Sequence, residues 1–376
     1  MGNNYRIIVI SDIHGHLHEF ERLIVKLDIL EDDYLIILGD FINRGPDNLE
    51  VLRKIMDLSK RKNTFILKGN HEAFIMTYFK SEEKFHELYN FFRNDYYKTI
   101  LNDMAVLLDF DYENNDSFSE FRNIIQSKFK DELSFIDSLP IIFENEHFIF
   151  VHGGYDSSIC PNSEEEKLLK YDDYNKLGPI NEKTVIVGHW PTSNLRDDIL
   201  SNNPIFNERK NIISIDGGIG VKISGELNGF VIKFDNGYID YKNVQVNSFI
   251  KRKIKEEFSF PIEELYLINY PDFEIEIIEK DDIYSEVKHK KSGKIISVFN
   301  SLINEVDGNY LLKTVYINRF FNLKKGDYIE VCESFDNVVL VKYNEEFGWV
   351  FKTQIEWEPA IQKSIKKMKL NEKNCN

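Results

Sequence analysis

Arg6-Ile7-Ile8-Val9-Ile10-Ser11-Asp12-Ile13-His14-Gly15 runs a β-branched apolar segment directly into a short polar turn. A continuous run of this kind fits a strand buried on both faces. Asp12 and His14 stand two apart just beyond it, so both side chains can point at one cation. The same pattern returns four more times. Apolar runs at 34–38, 64–67, 148–151 and 184–187 lead into Gly39-Asp40, Gly69-Asn70-His71, His152-Gly153-Gly154 and Gly188-His189. Between them the sequence predicts helices at 20–30 and 48–59 and a long one over 72–136. Strands alternating with helices predict an α/β fold. Ligands of such sheets gather at the carboxyl ends of the strands, where all five polar groups fall. A further strand at 211–215 leads into Asp216-Gly217-Gly218. Runs at 230–234 and 238–241 flank Asp235-Asn236-Gly237, where Asn-Gly supplies the positive φ of a tight hairpin.

Asp12, His14, Asp40, Asn70, His152 and His189 offer six ligands of mixed oxygen and nitrogen type. That mixture suits Mn, Fe or Zn better than Ca or Mg, which prefer oxygen shells. Six are too many for one catalytic ion with open positions, and suit two divalent metal ions sharing a bridging carboxylate. Two cations about 3.5–4 Å apart can clamp the attacking and leaving oxygens of a phosphoryl group and lower the pKa of a bound water to roughly 7. His71, directly after Asn70, is placed to protonate a leaving oxygen. The fork of Arg44, in Gly39-Asp40-Phe41-Ile42-Asn43-Arg44-Gly45, suits phosphate oxygens. Taken singly, each residue has a plainer explanation: Asp12 or Asp40 as a helix cap, Asn70 as a turn, Arg44 as a partner of surface acids. Conjunction at five successive strand ends is what outweighs these. His16 and His18 are read as lining the mouth of the site or lying on its first helix, Glu72 as opening a helix or touching the chemistry, and His86, His147 and His289 as surface or core residues.

The blocks Asp12-Ile13-His14-Gly15, Gly39 to Gly45, Gly69-Asn70-His71-Glu72, His152-Gly153-Gly154 and Gly188-His189 together resemble the calcineurin-like metallophosphoesterases over residues 5–242. The branch that looks nearest is the bacterial and phage serine/threonine protein phosphatases, with diadenosine tetraphosphate hydrolases as relatives. The resemblance implies two packed mixed β-sheets flanked by helices. It also implies that Asp12, His14 and Asp40 hold one metal, that Asp40 bridges, and that Asn70, His152 and His189 hold the other. His71 would be the general acid and Arg44 a phosphate clamp. Three departures stand out. Asn43 replaces the aspartate that usually orients the catalytic histidine; no arginine occurs between Arg122 and Arg196; and Asn94-Asp95-Tyr96 stands where an Asn-Gly-Gly is common.

Residues 1–245 are therefore expected to form a metallophosphoesterase catalytic domain and 246–376 a β-rich accessory domain. The second part is predicted to open with a basic helical linker at 248–258 and to continue as strands at 273–279, 285–290 and 294–299. Its segment 323–350 resembles part of an SH3-like barrel, which implies a recognition module for a peptide, glycan or protein partner, or else an appendage packed on the enzyme or a dimerisation surface. A lysine-bearing tail from Gln362 is expected to be a solvated helix. Residues 1–245 carry 27 Lys+Arg against 41 Asp+Glu and residues 246–376 carry 20 against 22, for a net charge of −16. That balance argues against general nucleic-acid binding, which needs excess cations. No apolar run predicts a membrane span. Cys160, Cys332 and Cys375 are scattered without ligand spacing and, with no export-type opening stretch, lead to the expectation of a cytoplasmic protein with reduced thiols. The leading functional expectation is a serine/threonine protein phosphatase using metal-activated hydroxide. The alternatives are a hydrolase of nucleotides or diadenosine tetraphosphate, and a metal-binding scaffold with weakened catalysis.

Overall fold

Strands apolar on both faces need cover on both faces, and the computed structural model supplies it in four layers. It describes residues 4–81, 83–85, 87–88, 98–111, 118–156, 165–261 and 264–357. His86, Cys160, Cys375, the Asn94-Asp95-Tyr96 segment and the tail from Gln362 lie outside those residues. Strands β1 (Asn4–Ile10), β2 (Tyr34–Ile37) and β3 (Thr64–Ile66) run parallel, and β1 also pairs antiparallel with β9 (Leu227–Asp235), which pairs with β10 (Tyr238–Val246). A second mixed sheet has the order β4 (Ile142–Glu144), β5 (Phe148–Val151), β6 (Thr184–Val187), β8 (Ile212–Ser214), β7 (Ile205–Asn207), with β5, β6 and β8 parallel.

The period of two along β1 decides what each face meets. Ile7 and Val9 join Ile36, Leu38, Phe148, Phe150, Ile186 and Ile213 in the core between the sheets. Ile8 and Ile10 turn the other way, onto Phe20, Leu23, Leu52 and Ile55. Those four residues come from α1 (Leu17–Leu27) and α2 (Asn48–Leu58), whose buried positions recur at helical spacing. The outer face of the second sheet, Ile149, Val151, Val185 and Val187, packs on Leu168 and Tyr174. Each such fully buried aliphatic side chain contributes roughly 1.5–3 kcal/mol. The expected hairpin is present, with Asn236 at φ 49 and Gly237 at φ 88.

Two expectations are corrected. The stretch 72–136 is not one helix: among the described residues it contains Asn70–Lys80, Ile100–Leu107, Phe118–Lys128 and Lys130–Ser138. Ser81 leaves the first of these in an extended conformation, and Asn102 Oδ1 accepts the Thr99 N–H at 2.7 Å to start the second. The basic segment 248–258 is not helical either. Ile250–Ile254 is a strand that uses both its edges, pairing with Tyr328–Ser334 and with Ile355–Glu356. Sheet pairing satisfies its backbone while the Lys251 and Lys253 side chains stay exposed.

The chain divides into two compact units. The first comprises Met1–Ser248, Leu267–Phe273 and Thr314–Tyr316; the second comprises Phe249–Tyr266, Glu274–Lys313 and Ile317–Asn376. The second holds two five-stranded antiparallel sheets. In one of them the order is Glu346–Phe351, Val338–Tyr343, Tyr328–Ser334, Ile250–Ile254, Ile355–Glu356, with a 3-10 turn at Lys352–Gln354 before the last strand. No helix among the described residues is long and apolar enough to cross a membrane.

Candidate metal centre

The loops leaving β1, β2 and β6 turn sharply enough that Asp12, His14, Asp40, Asn43, Arg44 and His189 all take positive φ, between 47 and 79°. Left-handed backbone at residues other than glycine costs energy and concentrates where surrounding structure enforces it. Here the enforcement is visible. Asp12, His14 and Gly15 donate their N–H groups to the carbonyls of Gly39, Asp40 and Phe41 at 2.9–3.1 Å, so the first two loops are laced together. Glu72, wholly buried, takes N–H groups from Gly69, Asp40, Phe41 and Ile42 at 2.8–3.3 Å and ties the second loop to the third. By accepting the Gly69 N–H it also closes the capping box that opens the Asn70–Lys80 helix, the first of the two roles read from the sequence. Gly188 is required by space alone, since a Cβ there would overlap Ser11 Oγ and Asp12 Oδ2.

Asp40 stands at the middle. Its Oδ2 lies 3.1 Å from His152 Nε2 and 3.8 Å from His71 Nε2. Two groups of donor atoms, His14, Asp40 and His71 on one side and Asp40, His152 and His189 on the other, each fall within 4.8 Å of one another and share only Asp40. Asp12 Oδ1 is 3.9 Å from His14 Nε2, and Asn70 Oδ1 is 3.1 Å from His152 Nε2. His152 Nδ1 donates to the Leu38 carbonyl at 2.7 Å, which leaves Nε2 as the nitrogen available to a cation. The charge of Arg44 is felt at His14, His71 and Asp216. All nine residues singled out from the sequence thus converge on one neighbourhood.

Three carboxylates, Asp12, Asp40 and Asp216, are buried there at 1–2% exposure. Burial, and then the neighbouring Asp216, push Asp12 well above its ordinary range. Burial would raise Asp40 too, but His152, His71 and His14 outweigh it and hold Asp40 well below. Burial works against charge on His152 as well, yet Asp40 and Asp12 carry it up to about 10. Burial lowers His14 and His189, helped by the imidazoles beside each. Asp216 is raised to about 6 by burial, and its Oδ2 has no hydrogen-bond partner among the described residues. Buried carboxylates that lack sufficient internal counter-charge, interleaved with imidazoles, are the donor set that a pair of divalent cations satisfies.

Asn43 is fixed in its amide orientation. Its Oδ1 accepts the Ile100 N–H at 3.0 Å, so its Nδ2 is the atom facing His71 Nδ1 at 3.2 Å. Burial, joined by Arg44 and outweighing the opposite pull of Asp40, takes His71 down to about 4.

Sequence reading missed Asp216, although a sixth apolar run ending in Asp-Gly-Gly carried the same signal as the other five. It also missed Ser11, whose hydroxyl donates to Asp12, and Asp172, whose Oδ1 lies 2.8 Å from His189 Nε2. Asp172 sits in no motif and had no signal. His16 caps α1 half-buried and His18 is exposed on it, while His147 is exposed and His289 is buried against Tyr266 in the second unit.

The sequence model described as calcineurin-like phosphoesterase matches residues 5–216. The symmetrical bis(5'-nucleosyl)-tetraphosphatase of Wigglesworthia glossinidia brevipalpis is 39% identical over 89 residues, 22% of this chain and 32% of that protein. The asymmetrical enzyme of the same name from Oceanobacillus iheyensis is 35% identical over 75 residues, 18% of this chain and 30% of that protein. The chain thus spans about a third of the length of these curated relatives. A serine/threonine phosphatase structure from Saccharomyces cerevisiae is similar at 15% identity, covering 66% of this chain and 82% of that one with a TM-score of 0.38. Since the match takes in more than half of the residues, including every strand end that carries a ligand-type side chain, the chain belongs to the calcineurin-like phosphoesterase family.

Proposed function

We propose that this protein is a two-metal hydrolase of phosphoanhydrides, with nucleoside polyphosphates of the diadenosine tetraphosphate type as its substrate class. The observation that carries the choice of substrate is the polarity of the Asn43–His71 contact. An amide nitrogen can only donate, so His71 Nδ1 is the accepting, unprotonated nitrogen and Nε2 bears the hydrogen. Protonating the ring would set N–H against N–H, and burial already resists the charge. His71 therefore acts as a neutral hydrogen-bond donor to the departing oxygen instead of surrendering a full proton. A phosphate leaving group departs as a stable anion without one; a serine alkoxide does not.

In this reading Asp12, His14 and Asp40 would hold one cation, and Asp40, Asn70, His152 and His189 the other. Manganese is the expected metal, with iron or zinc as alternatives. When bound, the cations activate the attacking water and neutralise phosphoryl charge. Arg44 binds non-bridging phosphoryl oxygens and orients the chain of phosphates for attack opposite the leaving oxygen. Buried walls around Asp40 keep bulk water from competing for these contacts.

A phosphoserine or phosphothreonine substrate is the second reading, favoured by the resemblance of the motif blocks to the protein phosphatase branch. The order of strands in the C-terminal unit, with its 3-10 turn before the last, supports an SH3-like module able to take a protein or peptide partner. The test is kcat/KM on diadenosine tetraphosphate and on a phosphoserine peptide with manganese present. We expect the anhydride to be favoured by at least about a hundredfold, roughly 2.7 kcal/mol of transition-state preference. A preference for the peptide would overturn the substrate assignment. No turnover of either, or of an aryl phosphate, by metal-loaded protein would leave the scaffold reading.

A further inference from the structure

Residues Leu267–Phe273 belong to the same compact unit as the metal centre although they lie far downstream of the family match. They are stitched in place: Asn269 Nδ2 donates to the Ser193 carbonyl, and Asn269 Oδ1 accepts the Tyr270 N–H at 2.9 Å. The turn that follows closes through Asp272 N–H to Asn269 O at 2.9 Å. This sets the Tyr270 ring edge-on to Trp190 at 5.7 Å between centroids, and Trp190 directly follows His189 with ring centroids 6.4 Å apart. Tyr270 remains 46% exposed and Trp190 half-buried, so ring surface is left over beside the metal ligands.

A cation completes the arrangement. Lys222 Nζ sits 5.1 Å from the Tyr270 ring centroid. It forms no salt bridge among the described residues; burial lowers it to about 8, and the charge of Asp216 pulls the other way. Its loop lies against the centre on both sides. A Cβ on Gly218 would sit 3.0 Å from Lys222 Cγ and 3.5 Å from Pro191 Cβ, and one on Gly220 would sit 3.3 Å from His14 Cβ. Lys222 thus supplies a positive charge in a chain that has no arginine between Arg122 and Arg196.

We propose that Trp190, Tyr270 and Lys222 form a nucleoside pocket at the rim of the centre, the rings stacking on the base and Lys222 pairing with a phosphate beyond the one attacked. Aromatic faces accept any base, while the lysine binds phosphate as a point charge. The pocket rests on the nucleoside-polyphosphate reading and deepens it, since it names the part of the substrate recognised away from the reacting phosphorus.

Calorimetric titration of the manganese-loaded full chain with AMP and with ribose 5-phosphate, which differ only in the base, tests it. Stacking is worth roughly 1–3 kcal/mol per base, so AMP is expected to bind about tenfold tighter than ribose 5-phosphate. Tyr270→Leu, which keeps bulk and loses the π face, is expected to bring the two together, and Tyr270→Phe to keep them apart. Lys222→Met is expected to weaken ADP more than AMP. Equal binding of AMP and ribose 5-phosphate by the unaltered protein overturns the pocket, as does an unchanged ratio in Tyr270→Leu. A tenfold AMP preference beside faster turnover of a phosphoserine peptide would overturn the nucleoside-polyphosphate assignment and leave the pocket standing. Preferred turnover of diadenosine tetraphosphate with no base preference would do the reverse.

Discussion

Replacing Asn43 by Asp inverts one hydrogen bond and, on the proposed reading, is expected to change which substrates the centre can cleave. The new carboxylate still accepts the Ile100 N–H, now 3.0 Å from Asn43 Oδ1, and its other oxygen falls near the 3.2 Å position of Nδ2, facing His71 Nδ1. A carboxylate at that distance demands a proton on Nδ1 and stabilises the imidazolium. Adjacent carboxylates raise a histidine by roughly 1–3 pKa units, about 1.4–4 kcal/mol in favour of the charged ring. Starting from about 4, His71 moves toward the range where it can give up a proton. The assay is a series of aryl phosphates graded by leaving-group acidity, with log(kcat/KM) plotted against the pKa of the phenol. The unaltered enzyme should give a steep negative slope, because the departing oxygen receives little proton. In Asn43→Asp the slope should flatten, with the poorest leaving groups gaining roughly tenfold or more. The variant should also lose activity as pH rises through the elevated His71 value, since only the protonated ring serves as acid. A shallow slope in the unaltered enzyme, or an unchanged slope in the variant, would refute the tautomer argument.

Asp40→Asn removes the carboxylate common to both donor groups; metal analysis should fall from two ions per chain to one or fewer, and turnover by at least about a thousandfold. Gly188→Ala drives a methyl into Ser11 and Asp12 without any positive φ to blame, so denaturant titration should register a loss of at least about 2 kcal/mol together with weakened metal binding. Asp103 is raised from its ordinary value to about 6, chiefly by burial. Because the folded state holds that proton more tightly, stability should fall as pH rises from about 4 to 6 and then level off. Asp103→Asn should flatten that part of a melting-temperature profile, and an unaltered profile would count against the assignment.

The candidate centre is legible in the sequence because its donor residues follow strands whose composition is unambiguous, and a strand end fixes where the next side chain can go. Asp216 obeys the same logic, a strand end followed by Gly-Gly, and its carboxylate is legible in the same way. Asp172, by contrast, reaches His189 from a segment with no periodic neighbour, so only tertiary packing reveals it. The long helical stretch failed at Ser81 and Thr99, where stop and start signals are single polar residues that helix periodicity averages away. The strand Ile250–Ile254 failed for a different reason. Its charge run is neutral between helix and sheet, and what decides is the presence of two partners 70 or more residues downstream.

The assignment of Leu267–Phe273 to the first unit also bears on how this protein could have been assembled and how it can be dismantled. A chain cut after residue 248 would keep every proposed ligand yet lose Tyr270 and its anchor on Ser193. Such a fragment should retain metal chemistry on minimal phosphates and forfeit selectivity among larger ones. If the proposed pocket holds, exchanging the C-terminal unit together with Leu267–Phe273 is expected to change substrate selectivity as well.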